Sequence, residues 1–260
     1  MCHKWLQPIS KHNCTITLTL INHIATHPVR RFKMLCLSAM MNQKLTELEN
    51  TKGSLPTCIR VHGVAGMELA LEAAANASTT PWFFAVFAKT QLHESFDFSF
   101  VPDRMQRPKH YIFDCHNVSN NLEYGHMGVV LYNCQGVRDT NQAGNFGLDY
   151  TLSFPHESVP LLSCYGDFAT TPYHAWRTAF RETAKLAYFE QTQPSVDNHY
   201  RLGVWLTQAQ GKHADWVLKG AQDGNEFYKS TNNDLIKLKQ SFRWEWLREY
   251  FVTKYGSELK

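Results

Sequence analysis

Trp82 to Ala88, Trp-Phe-Phe-Ala-Val-Phe-Ala, is an uninterrupted apolar run. A run of that kind is what a strand covered on both faces looks like. Ahead of it, Met67 to Ala77 is built from Ala, Leu and Glu, all strong helix formers, and Met67, Leu71, Ala74 and Ala75 fall on one helical stripe. Ser78-Thr79-Thr80-Pro81 separates the two, since a residue preceding proline is driven away from helical geometry. His62-Gly63-Val64-Ala65-Gly66 reads as a glycine-punctuated loop before the helix, and Lys89-Thr90 end the apolar run. Loop, helix and buried strand in succession predict an α/β fold, in which ligands sit at the carboxyl ends of strands.

The 260 residues suffice for one large domain, and 43% hydrophobic content supplies a core. A formal net charge of +3 without a basic run gives no nucleic-acid signature. Seven cysteines are scattered with no C-x-x-C, which predicts free thiols in a reducing compartment. The 13 histidines form no Cys/His group at zinc-ligand spacing, so no metal residues are assigned. No apolar run reaches the roughly 18 residues that cross a bilayer, and the start lacks the pattern of a signal peptide. A cytoplasmic protein is expected.

Residues 1–58 are the least legible. Thr15 to Ile21 alternates as a strand does, and Arg31 to Leu48 reads as a helix. Ser95 to Asp103 alternates Phe96, Phe98 and Phe100 with polar residues, as a half-buried extended segment. His110 to Cys115 reads as a strand and Asn117 to Asn121 as a turn containing a formal glycosylation sequon. Arg138 to Leu148 has loop composition, Asp149 to Phe154 reads as a short strand, and Val159 to Leu162 as an apolar segment between loops. Pro172 to Phe189 is a helix with Trp176, Ala179, Phe180, Thr183 and Ala187 on one face. Residues 196–208 form another, Gly224-Asn225 a turn, and Asn233 to Phe251 a final amphipathic helix.

The segments Arg-Val-His-Gly-Val-Ala-Gly at 60–66, Phe-Asp-Phe-Ser-Phe at 96–100, Leu-Glu-Tyr-Gly-His-Met-Gly-Val-Val at 122–130 and Trp-Arg-Thr-Ala-Phe-Arg-Glu at 176–182 carry a resemblance. Together with the helix and buried strand of 67–88, they resemble GT-A-type glycosyltransferase-like proteins of phages and aquatic viruses. The likeness covers roughly residues 59–230. It implies a GT-A-like, Rossmann-like α/β fold with a mixed, mainly parallel sheet flanked by helices. Residues 59–230 would be its core, 1–58 a divergent or incomplete first part, and 231–260 a C-terminal amphipathic helix packed on the core. It also implies transfer of a sugar from a nucleotide-diphosphate donor to an acceptor hydroxyl. A modified DNA base, a glycan or a protein is the acceptor such a family suggests, and host cytoplasm the place if the source is viral.

The family's metal-binding D-x-D should fall at Phe87-Ala88-Lys89, and neither Phe87 nor Lys89 offers a carboxylate. The manganese or magnesium ion usual in such enzymes therefore lacks its acid pair here. Lys89 either takes the developing phosphate charge itself, marks a dead site on a domain that only binds, or simply ends a strand in solvent. A degenerate, non-catalytic domain binding a nucleotide, glycan or protein is thus the alternative function.

Other candidates carry a plain reading beside the functional one. His62, Gly63, Gly66 and Phe87 lie in the donor-binding stretch that the resemblance implies. Asp97 is a sugar contact or a capping acid. Tyr124 and His126 lie where the resemblance places donor sugar and acceptor; His126 is an acid/base candidate or a structural histidine. Arg177 and Arg181, four apart on a helix, grip a diphosphate or pair with Glu182, Glu190 or loop acids at the surface. Glu182, like Glu157 and Asp167, is a candidate base or sugar ligand. Lys219 is a candidate phosphate contact.

Overall fold

The computed structural model describes residues 16–22, 33–37, 61–64, 66–87, 90–144 and 146–256. They form two compact units that interleave along the chain. One draws its described residues from Met1–Ala88, Arg104–His110 and Leu131–Asn145, the other from Lys89–Asp103, Tyr111–Val130 and Phe146–Lys260. Helices and a mixed sheet make up the molecule. Among the described residues no helix is long and apolar enough to cross a membrane.

In the first unit, strands β1 (Ile16–Asn22), β2 (Lys33–Leu37), β3 (Val61–Val64) and β4 (Trp82–Phe87) lie in the order β3-β1-β2-β4. β1 runs antiparallel to β2 and β3, while β2 is parallel to β4. The helix expected over 31–48 is therefore a strand at Lys33–Leu37, where pairing on two sides outweighs local composition; the rest of that stretch lies outside the described residues. Helix α1 (Met67–Ala77) follows the sequence reading and buries Ala70, Leu71, Ala74 and Ala75. Ser78 Oγ then donates to the Thr80 carbonyl at 3.0 Å, turning the chain into β4, whose Trp82 to Val86 are buried.

Helix α2 (Cys134–Ala143) occupies most of the stretch expected as loop. Its caps explain the difference. Asn133 Oδ1 accepts the Gly136 N–H at 2.8 Å, and Gly144 at φ 63 supplies a left-handed end. Arg138 donates to the Ala75 carbonyl at 3.0 Å and Asn141 to that of Glu68 at 3.0 Å, tying α2 to α1.

The second unit contains β5 (Thr90–Leu92), β6 (His110–Asn117) and β8 (His156–Gly166), with the larger part of β7 (Leu122–Asn133). β6 lies between β7 and β8, and β5 pairs antiparallel with β8. With β1–β2, β1–β3 and β5–β8 antiparallel and β2–β4 parallel, the sheet is mixed. β8 absorbs the segment Val159 to Leu162 together with His156 and Glu157, which had been expected in a loop. Asn117 is fully buried and accepts the Ser119 N–H, so the sequon is part of a folded turn that cannot carry a glycan. The segment 93–103 is irregular: Phe98 has φ 58, which breaks extension, while the Phe96 and Phe100 rings pack on Phe113 at 5.1 and 5.4 Å. Asp149 Oδ1 accepts the Thr151 N–H and folds 149–154 into a 3-10 turn at Thr151–Ser153 rather than a strand.

Among the described residues this unit also has the helices α3 (Pro172–Thr192), α4 (Val196–Thr207), α5 (Ala214–Thr231), α6 (Leu235–Leu238) and α7 (Trp244–Tyr255). Thr171 caps α3, with Pro172 at its first turn, and Ser195 caps α4. Gly224-Asn225 is helix rather than turn, because Gly220 and Gly224 let α5 approach the Trp176 and Phe180 carbonyls of α3 where any Cβ would collide. The single helix expected over 233–251 is broken into α6, a 3-10 turn at Lys239–Phe242, and α7. Asp234 starts a fresh cap after the left-handed Asn232 and Asn233, and Arg243 is extended.

Candidate functional site

One face of β7 presents Tyr124 and His126 toward helices α3 and α4 of the same unit, which contribute Glu182 and Lys185, and Asp197 and Arg201. Glu182 stands at the centre. Its side chain is 14% exposed, with Oε1 3.2 Å from Lys185 Nζ and Oε2 4.0 Å from Arg201 Nη2. Lys185 also reaches Asp149 at 3.5 Å, and Arg201 reaches Asp197 at 3.3 Å. The Arg201 guanidinium lies 4.1 Å from the centre of the buried Tyr124 ring, a cation held on an aromatic face.

These surroundings set the charges. Burial works to raise the Glu182 carboxyl, yet Lys185 and Arg201 outweigh it and hold the group down to about 2. Burial lowers His126 to about 4, with Lys185 and Arg201 pushing the same way and Glu182 and Asp149 pulling against them. His126 Nδ1 accepts the Gly128 N–H at 3.0 Å, which fixes the neutral tautomer carrying its proton on Nε2. Burial, then Glu182, raise the Tyr124 hydroxyl well above its usual range, so it stays protonated.

At neutral pH the cluster is thus an ionised carboxylate, a neutral imidazole and a guanidinium on a phenol ring. Glu182 Oε2 accepts no hydrogen bond among the described residues, and Arg201 Nε–H finds no acceptor. An acceptor and donors left unspent in a shielded place suit a neutral polyol, whose hydroxyls both give and take hydrogen bonds. A carboxylate near 2 and an imidazole near 4 are weak bases, because a general base works best with its pKa near the operating pH.

The candidates Tyr124, His126 and Glu182 come together here, with Arg181 close enough to sense Glu182 and Asp149. Lys185, Arg201, Asp149 and Asp197 were missed. Glu182–Lys185 and Asp197–Arg201 have helical ion-pair spacing, a signal legible in sequence; the bridge from α4 to α3 has none.

The other candidates stand apart. Asp97 is exposed and accepts the Ser99 N–H at 2.9 Å, a capping acid. Lys219 is half exposed, pairs with Asp215 at 3.6 Å and covers the Trp216 ring. Asp167 accepts the Ala169 N–H and Glu157 is exposed on β8. Glu190 pairs with His199 at 3.0 Å rather than with an arginine. Gly125 and Gly128 make room for protein: a Cβ on Gly128 would lie 2.7 Å from Cys164 Sγ, and one on Gly125 3.2 Å from Ser158 Oγ. In the first unit, Gly66 is the φ 93 residue that starts α1, Phe87 closes β4 half-buried, and His62 and Gly63 lie in β3 rather than a loop. Lys89 lies outside the described residues. Among those described, no group of three or more His, Cys, Asp or Glu is placed to hold a metal ion.

No family model, curated protein or solved structure matches this chain.

Proposed function

We propose that the cluster around Glu182 binds a sugar, and that the protein is a nucleotide-sugar-dependent glycosyltransferase acting on an acceptor hydroxyl. The observation that carries the sugar site is the buried, ionised Glu182 with Oε2 unspent beside neutral His126. Glu182 then accepts from a sugar hydroxyl, His126 Nε2–H donates to one, and the Tyr124 face with its guanidinium offers an apolar-and-cationic wall. The transferase assignment rests on the motif resemblance. The acceptor in that reading is a modified base, a glycan or a protein hydroxyl. Lys89 takes the place of a metal at the diphosphate, and a Lys89→Ala variant that keeps full turnover would sink that role.

A second reading, a domain that binds a sugar-bearing ligand without turning it over, is favoured by the low proton affinities of Glu182 and His126, which leave neither suited to general-base work. The test is thermal unfolding against a panel of nucleotide sugars, each with and without manganese, followed by turnover of any donor that binds. Binding to the native state alone raises the melting temperature. A metal-independent shift with one donor and product formation supports the transferase; the shift without turnover supports the binding domain. A shift only with manganese removes Lys89 from its role, and no shift with any donor removes both readings.

A further inference from the structure

Two buried thiols lie close to this cluster without belonging to it. β6 and β8 are neighbours in the sheet. Ser163 Oγ donates to the Asp114 carbonyl at 2.8 Å, which brings the next residue on each strand, Cys164 and Cys115, abreast. Cys164 is 0% exposed and Cys115 1%, and their side chains hydrogen-bond to one another. Both are free thiols. Among the described residues no third ligand stands with them to hold a metal ion. Neighbouring strands run about 4.8 Å apart, inside the Cα separation that a disulfide spans.

A glycine stands beside each sulfur. A Cβ on Gly128 would lie 2.7 Å from Cys164 Sγ, and one on Gly166 3.1 Å from Cys115 Sγ. The two sulfurs thus use space that a side chain at either position would take. Their environments differ. Cys115 donates to Cys164, and Ser163 Oγ donates to the same sulfur at 3.5 Å. These donors hold the Cys164 thiol below its ordinary value against burial, while the shared contact and burial push Cys115 up. The thiolate is the attacking form, so Cys164 is the nucleophile of the pair and Cys115 the thiol that resolves it.

We propose that Cys115 and Cys164 form a modification site, a dithiol that hydrogen peroxide closes to a reversible disulfide between β6 and β8. The Cys164 sulfur attacks one peroxide oxygen; an S–O bond forms, the O–O bond breaks, and hydroxide leaves and takes up the thiol proton as water. The Cys115 sulfur then attacks the sulfenic sulfur; the S–S bond forms, the S–O bond breaks, and a second water leaves with the Cys115 proton. Two electrons pass from the thiols to one peroxide, which ends as two waters. Cys164 Sγ packs where Gly128 lacks a side chain, and the Gly128 N–H holds His126 Nδ1, so closing the bond shifts the support of His126. The site stands on these sulfurs; only its effect on sugar binding rests on the sugar-site reading.

The experiment treats the reduced, folded full chain with hydrogen peroxide, blocks the remaining thiols with an alkylating reagent and maps the unreduced digest by mass spectrometry. A peptide pair joined through Cys115 and Cys164 is expected, and dithiothreitol should restore both thiols. In Cys115→Ala no thiol resolves the intermediate, so dimedone should label Cys164; in Cys164→Ala, Cys115 should stay reduced. The reverse labelling overturns the order of attack. The proposal is overturned if the folded wild type gives no such peptide pair, if the pair forms only in urea, or if either cysteine joins mainly to a different one. That mapping needs no variant, so a substitution that does not fold leaves it decisive. Thermal unfolding with nucleotide sugars is then repeated on the reduced and oxidised chain, and the oxidised chain is expected to lose most of its melting shift. An unchanged shift keeps the disulfide and discards its effect on the sugar site. No shift in either form, with the joined peptides present, discards the sugar reading and leaves the disulfide standing.

Discussion

Trp176 Nε1 donates to Asp223 Oδ2 at 2.8 Å, joining α3 to α5 through a carboxylate that is 4% exposed. Lys254 Nζ reaches the other oxygen at 2.7 Å and the Tyr255 hydroxyl donates to Oδ2 at 2.7 Å, so α7 is fastened at the same point. Removing the carboxylate strands a buried indole N–H and leaves the ammonium with Glu226 3.9 Å away. Asp223→Ala is expected to cost about 3 kcal/mol, the range for breaking a buried charged network from one side. Urea unfolding measures it, and a loss below about 1 kcal/mol would mean that the three donors find other partners.

Two glycines separate packing from propensity. A Cβ on Gly224 would run into the Phe180 carbonyl and Thr183, whereas one on Gly203, in mid-α4, would meet nothing within 4 Å. Gly224→Ala is expected to destabilise by about 2 kcal/mol or more, since backbone must shift. Gly203→Ala should stabilise by about 0.5–1 kcal/mol through helix propensity alone. Melting temperatures of the two variants moving in the same direction would contradict this geometry.

The same contrast shows what was legible in the chain. Helix α1, β4 and α3 were readable because period, breaker and cap agree: Ser78 to Pro81 stop one element, and Thr171-Pro172 start another. Helix α2 was not, because Asn141, Gly144 and Asn145 give a loop composition, while the Asn133 cap and the contacts of Arg138 and Asn141 with α1 are non-local. The break at Arg243 has no signal in the chain, because the apolar spacing continues across it. For the site, Tyr124, His126 and Glu182 were legible from motifs, but the environment that decides their chemistry was not. Arg201 reaches Glu182 from another helix, and no sequence spacing reports that.

Glu182 links stability and binding. Its carboxyl is held at about 2 against an ordinary 4.5, so its contribution is fully present above 4.5 and is lost as the pH falls toward 2. Glu182→Gln keeps the shape and removes the charge, leaving Lys185 with Asp149 and Arg201 with Asp197. The expected cost at neutral pH is about 1–3 kcal/mol, because the cations keep second partners. Sugar binding should fall at least tenfold, from the loss of a charged acceptor. A variant that loses stability but binds sugar unchanged would make Glu182 a purely structural anion.

His126 makes a separate prediction at milder pH. Its folded value is about 4 and its ordinary value 6.5, with the neutral form favoured by burial. Between these values the unfolded chain binds the proton more readily than the folded one does. Stability therefore rises with pH across that window and falls as the pH drops from 6.5 toward 4, by on the order of 3 kcal/mol in all. Protonating Nδ1 would also break its acceptance of the Gly128 N–H. His126→Gln cannot titrate, so its stability curve should be flatter than the wild type's from pH 6.5 to 4. The two curves should then run parallel below 4, where Glu182 governs both. Unfolding free energies at half-unit pH intervals measure this directly. A wild-type curve already flat between 6.5 and 4 would place His126 in contact with water, and would remove it from the neutral, shielded role on which the sugar site depends.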